Sequence, residues 1–93
     1  MNIEWSVDAL ADLDRFAGFL NDRHPNLAPV VAREIMSKAQ LLAEQPELGR
    51  AIGGRREYRQ SVLQVLNAAY VFQYRVEPTR LIMLRVFHGR ELR

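Results

Sequence analysis

The 93-residue chain contains no cysteine. This excludes a disulfide framework and a thiolate-bound zinc site, and it fits a reducing, cytoplasmic setting. No apolar run approaches the roughly 20 residues that a membrane helix needs, so no membrane partner is expected. The opening Met1-Asn2-Ile3-Glu4-Trp5 has no basic stretch leading into an apolar one, and no secretory signal is read there. Histidine is scarce. His24 and His88 stand alone, without partners at ligand spacing, so neither a metal site nor a cofactor is expected. His24 lies beside Pro25 and reads as helix-end chemistry. Gly53-Gly54 lacks the lysine and hydroxyl of a phosphate-binding loop, and no Gly-x-Ser-x-Gly elbow is present. Lysine is reduced to Lys38, so almost every positive charge is a guanidinium. That group suits planar contacts to carboxylate or phosphate and stacks on aromatic rings.

Those guanidinium groups are unevenly placed. The net charge of +2 divides into two halves of opposite sign. Residues 1–48 carry four cations against eight acids, whereas residues 49–93 carry nine arginines against Glu57, Glu77 and Glu91. A basic second half points to an anionic partner. With 48% hydrophobic residues the chain can build a core, and its length fits one domain over residues 1–93.

The hydrophobic period changes once along the chain. Ile3-Glu4-Trp5 is a possible short strand. Ser6 is placed to cap a helix carrying Asp8 in its first turn, with Leu10, Leu13, Ala17 and Leu20 as its apolar stripe and Asp12, Asp14, Arg15 and Asp22 on the other faces. Pro25 ends that helix. Asn26 is a candidate cap for a second helix, in which Ala28, Ala32, Ile35, Ala39 and Leu42 repeat at helical spacing up to about Glu44. The short connection predicts an antiparallel hairpin. Leu48-Gly49-Arg50 and Gly53-Gly54 read as turn and loop. Strands are then expected over Arg56–Val62, Ala69–Val76 and Leu81–His88, with a turn at Glu77-Pro78-Thr79-Arg80 and residues Leu63–Asn67 ambiguous. The expected fold is α+β: a helical hairpin on one face of a three- to four-stranded, mainly antiparallel sheet.

Alternation along the last strand puts Ile82, Leu84, Val86 and His88 on one face and Leu81, Met83, Arg85 and Phe87 on the other. The aliphatic set is expected to meet the helices, with His88 at the rim. Arg85 is expected on the opposite face, with Gln73, Arg75 and Arg59, and it should be paired or exposed. Arginines interleaved with Phe87 and Met83 can grip nucleic acid or an acidic protein segment. Metal-free phosphodiester cleavage is the reaction these residues could serve. His88 would act as acid or base, Arg59, Arg85 and Arg90 would stabilise charge, and Tyr58, Tyr70 and Tyr74 are possible proton or stacking groups.

Several stretches, in order along nearly the whole chain, resemble the RelE/ParE toxins of type II toxin–antitoxin systems. They are Ile3 to Leu13, Leu42-Ala43-Glu44-Gln45-Pro46-Glu47-Leu48-Gly49-Arg50, Arg56-Glu57-Tyr58-Arg59, Tyr70-Val71-Phe72-Gln73-Tyr74-Arg75 and Leu84-Arg85-Val86-Phe87-His88-Gly89-Arg90. The resemblance implies a helical hairpin followed by an antiparallel sheet, and a small cytoplasmic toxin that forms a hetero-oligomer with a cognate, ParD-like antitoxin. RelE-like members cleave messenger RNA on the ribosome, whereas ParE-like members poison DNA gyrase by binding and are associated with plasmid stabilisation. The tail Phe87-His88-Gly89-Arg90 looks ParE-like. Gly89 stands where RelE-like nucleases tend to carry a tyrosine, and the family's lysines are missing. The resemblance therefore implies a binding surface of Arg56, Arg59, Tyr74, Arg75, Arg85, Phe87, Arg90 and Arg93, for target or antitoxin. The nuclease alternative would use Arg59, Arg85 and His88 as catalytic residues. A third reading is a degenerate, non-toxic member that only binds an antitoxin.

Overall fold

A computed structural model describes residues 1–91 of the chain. A first strand, β1 (Asn2–Trp5), leads into helix α1 (Val7–Arg23), which is followed by helix α2 (Ala28–Glu44) and a 3₁₀ turn at Pro46–Leu48. Four strands complete the sheet: β2 (Arg50–Ile52), β3 (Arg55–Val65), β4 (Ala68–Val76) and β5 (Arg80–His88). A second 3₁₀ turn spans Gly89–Glu91. The sheet order is β1-β5-β4-β3-β2, with β1 parallel to β5 and the other pairs antiparallel. The α+β architecture is thus as expected. The sheet has five strands, two of them short edges too brief to show a period.

Ser6 starts α1. Its hydroxyl accepts the Ala9 N–H at 3.0 Å and donates to the Leu84 carbonyl at 2.9 Å. The residue therefore caps the helix and ties it to β5. Ser6→Ala should cost about 1 kcal/mol, seen in thermal melts as a fall of roughly 5 °C. A smaller cost would mean that water replaces both bonds. Helix α2 differs from expectation at its start. Leu27, not Asn26, is the cap residue, and no side chain caps this end; Pro29 lies in the first turn, where its missing N–H is harmless.

Both helices cover one face of the sheet. The core joins Ala9 and Phe16 of α1, Val31, Ile35, Ala39 and Leu42 of α2, and Tyr70, Phe72, Tyr74, Leu81, Met83 and Val86 of the sheet. The stripe that α1 buries is centred on Ala9, Asp12 and Phe16, while Leu10 is exposed. Strand β3 runs unbroken through Leu63–Val65, and only Leu66 and Asn67 separate it from β4. Leu66 takes φ 57°, a left-handed conformation that favours glycine.

The last strand departs from simple alternation. Tyr74 pairs with Met83 but Gln73 pairs with Arg85, so Leu84 is an extra residue in β5. This bulge shifts the side-chain parity. Leu81 and Met83 face the helices before it, and Val86 after it, all fully buried. The expected core set Ile82, Leu84 and Val86 is corrected accordingly. Only Val86 belongs to it, because the parity rule assumes an unbroken ladder.

Candidate functional site

The face of the sheet without helices presents three cross-strand rows. Val62, Val71 and Phe87 stand side by side on β3, β4 and β5. The next row runs Arg50, Gln60, Gln73 and Arg85 from β2 to β5, and the Gln73 amide donates to Gln60 Oε1 at 2.9 Å. The third places Tyr58 beside Arg75 and Ile82. Aliphatic and aromatic residues thus flank a polar row with an arginine at each end. Such a face can dock on a partner surface.

Arginines of the basic half are only partly available. Arg85 sits 4.6 Å over the Phe87 ring, while its guanidinium forms two hydrogen bonds to Asp12, at 2.9 and 3.0 Å. Asp12 also accepts the Val86 N–H at 2.8 Å and an Arg15 bond at 2.7 Å. Its side chain is 1% exposed. Burial alone would push this carboxyl up, but the hydrogen bonds from Arg85, Arg15 and Val86 outweigh burial and hold it below the usual carboxylate value. Arg75 pairs with Glu77 at 3.3 Å, and Arg80 bridges Glu77 and Glu4 at 2.6 and 2.8 Å. Among the described residues Arg50, Arg56, Arg59 and Arg90 form no ion pair. Three of these four belong to the β2–β3 end of the sheet, which makes that end the cationic one.

The residues singled out from sequence therefore part company. Arg59 is not on the bare face. It pairs in register with Tyr74, on the helix side, and donates to the Gly49 carbonyl at 2.7 Å. Arg56 is exposed near the start of β3, beside a shallow cleft that Arg59 and Glu47 also line. Tyr74 is fully buried, so the expectation of a contact residue is corrected: its hydroxyl donates to Pro46 O at 2.6 Å and accepts from Gly49 N at 2.9 Å. Burial pushes its phenol up, only partly offset by the Gly49 N–H. Phe87 and Arg75 do lie on the bare face. His88 stands at the rim of the helix side, its ring 5.1 Å from Tyr70 in an edge-on contact. Its Nδ1 accepts the Arg90 N–H at 3.1 Å, which leaves Nε2 as its free ring nitrogen. Arg93 lies outside the described residues.

Arg59, Arg85 and His88 do not share a site. Arg59 pairs with Tyr74 and His88 with Tyr70, on opposite sides of β4 and four residues apart along it. That places them on the order of 15 Å from each other at the backbone. Arg85 pairs with Gln73, whose side chain belongs to the opposite face. Sequence reasoning missed Asp12, which looked like one of several solvent-facing acids of α1. A carboxylate three residues from Arg15 and one helical turn from Phe16 was the signal available for it.

A family model described as ParE toxin of type II toxin-antitoxin system, parDE, matches residues 3–93. Among individual proteins, the chain is 33% identical over 94 residues to Toxin RelE3 of Caulobacter vibrioides, covering 99% of this chain and 98% of that protein. It is 30% identical over 88 residues to Toxin RelE1 of the same organism, covering 95% and 92%. Among solved structures it is similar to one described as the chromosomal ParDE TA system from P. aeruginosa, with TM-score 0.73, 20% identity and 95% of each chain covered. A conserved hypothetical protein of Helicobacter pylori matches with TM-score 0.58 and 17% identity, over 100% of this chain and 99% of that one. At these identities the two structures speak for the fold alone.

Proposed function

Since the chain belongs to the ParE toxin family of type II toxin–antitoxin systems, we propose that it is a ParE-like toxin that inhibits DNA gyrase by binding and is neutralised by a cognate, ParD-like antitoxin. One observation carries the choice of a binding toxin over a nuclease. Each of the three side chains a nuclease would need is anchored to a different neighbour: Arg59 to Gly49, Arg85 to Asp12, and His88 to Tyr70 and Arg90. Metal-free cleavage requires base, acid and charge stabilisation around one phosphate. The bare sheet face with Arg75 and Phe87, continued by Arg50 and Arg56 at the cationic end, suits a large partner instead. In this reading the toxin acts in the cytoplasm, as a hetero-oligomer with its antitoxin until released.

The test is a supercoiling assay with purified gyrase and purified toxin. Inhibition is expected, together with accumulation of cleaved DNA, and Arg56→Ala combined with Arg75→Ala should weaken it about tenfold, as two lost charge-assisted contacts of roughly 0.7 kcal/mol each. Unaltered supercoiling at a large excess of toxin would overturn the proposal.

The likeness to the Caulobacter toxins RelE3 and RelE1 favours a second reading, cleavage of messenger RNA on the ribosome. Discrete new 5′ ends on translated messages, lost in His88→Ala, would establish it. A chain that arrests growth in neither way, yet binds the antitoxin, would be the degenerate, non-toxic member.

A further inference from the structure

Tyr74 engages its hydroxyl inside the fold, and Tyr58 does not. Tyr58 is half-buried and pairs in register with Arg75 on the bare face. Its oxygen accepts one long bond, from Arg75 at 3.5 Å, and among the described residues no acceptor takes its proton. Two guanidinium groups lie against the ring, Arg55 at 4.7 Å and Arg75 at 5.5 Å from its centroid. Such contacts hold the ring in place, so the O–H is presented with little freedom left to lose on binding.

Arg75 is under-served as well. Its Nε is buried and lies 3.3 Å from Glu77 Oε2 without forming a hydrogen bond. Glu77 gives its other oxygen to Arg80, at 2.6 Å, and Arg80 also grips Glu4. Glu57 is likewise held by Arg55, at 3.1 Å. Among the described residues, the Arg75 guanidinium therefore makes only the long hydrogen bond to Tyr58. A phenol O–H beside guanidinium N–H groups is a set of donors that lacks an acceptor, and an anionic oxygen supplies one.

The rest of the face decides which anion. A nucleic-acid track needs cations along its length. Here Arg85, nearest the apolar row, is already committed to Asp12. Val62 stands on the same strand as Tyr58, on the order of 13 Å away. It is 59% exposed and in register with Val71, which pairs with Phe87. A phosphate backbone would leave that row wet. A protein surface with a carboxylate at one end of the contact and apolar side chains at the other covers both.

We propose that Tyr58 and Arg75 anchor the bare face on a carboxylate of the target protein, whose apolar neighbours lie on Val62 and Phe87. The proposal rests on the gyrase reading above. It makes the contact one with the enzyme's protein surface and not with its DNA.

Binding of labelled toxin to purified gyrase without DNA, and to a short DNA duplex alone, would be measured by fluorescence anisotropy, with thermal melts of each free variant. Wild type should bind gyrase and not the duplex. Tyr58→Phe should melt at the wild-type temperature, because the lost O–H has no acceptor in the fold, and bind gyrase about fivefold more weakly. Arg75→Glu, which sets like charges together, should bind about 30-fold more weakly. Val62→Ser should bind about threefold more weakly. Met36→Ala, exposed on α2, should bind as wild type. Wild-type affinity in both Tyr58→Phe and Arg75→Glu would overturn the anchor while leaving gyrase as the target. A lower melt of Tyr58→Phe would show that the hydroxyl is engaged within the fold, and would also overturn it. Binding to the duplex alone, weakened by the same variants, would make the face a nucleic-acid platform and sink the proposal. So would inhibited supercoiling without any binding of DNA-free gyrase. If supercoiling is unaltered too, the gyrase reading fails with it.

Discussion

Asp12→Ala is expected to destabilise the protein by about 3 kcal/mol, the largest loss from any single polar side chain here. The carboxylate serves three donors at once: the Arg85 guanidinium, the Arg15 guanidinium and the Val86 N–H. Strand β1 covers β5 only from Arg80 to Met83, so Asp12 and Ser6 take over the polar groups of its outer edge beyond that point. Alanine would leave a buried backbone N–H without an acceptor and Arg85 without a counter-charge. The Arg85 side chain keeps 40% exposure, which lets water compensate it in part and places the cost at the lower end for broken ion pairs. For a chain of this length the melting temperature should fall on the order of 15 °C.

Asp12 also makes stability depend on pH. Its folded pKa lies below the unfolded value of about 3.9. The folded state then binds fewer protons, so the full contribution is present above pH ~4 and is lost as the pH falls through the folded pKa. Wild type should lose stability in that acid range, and Asp12→Asn should show a flatter profile there from a lower starting point. Parallel profiles for the two proteins would remove Asp12 from the account of acid unfolding.

Gly49→Ala should cost a similar amount, about 3 kcal/mol, for a steric reason. Gly49 has an ordinary extended backbone, so its conformation does not demand glycine. Its neighbour does. A Cβ on residue 49 would fall on the Tyr74 hydroxyl and within about 3 Å of the ring atom that bears it. The buried ring has no room to retreat, and moving it breaks the bonds to Pro46 and Gly49. Tyr74→Phe keeps the ring and loses only the hydroxyl, at about 1–2 kcal/mol. Denaturant unfolding of both variants would check the order. If Tyr74→Phe weakens gyrase or antitoxin binding at full stability, Tyr74 contacts a partner after all, and its role as an internal pin is wrong.

Much of the fold was legible because periodicity reports burial. Ala28, Ile35, Ala39 and Leu42 marked α2, and Tyr70, Phe72 and Tyr74 marked the central strand. Other features were too short or too local to leave a period. Strand β2 has three residues and draws its definition from β3. The Leu84 bulge inverts parity within a strand whose residues are apolar on both faces, so no pattern betrays it. Tyr74 and Arg59 illustrate the limit for the candidate site. Their residue types fit catalysis or contact, yet their bonds to Gly49 and Pro46 make them internal ties.

By itself, the sequence determined the α+β class, the helical hairpin, the basic second half and, through its family motifs, the toxin family. These depend on local period, composition and ordered motifs along the chain. Only the tertiary structure decided which arginines are free to meet a partner. Asp12 and Arg85 are 73 residues apart, and nothing local pairs them. Their meeting depends on α1 crossing β5 where β1 ends, and a charge on paper becomes a contact or a clamp according to what the fold sets beside it.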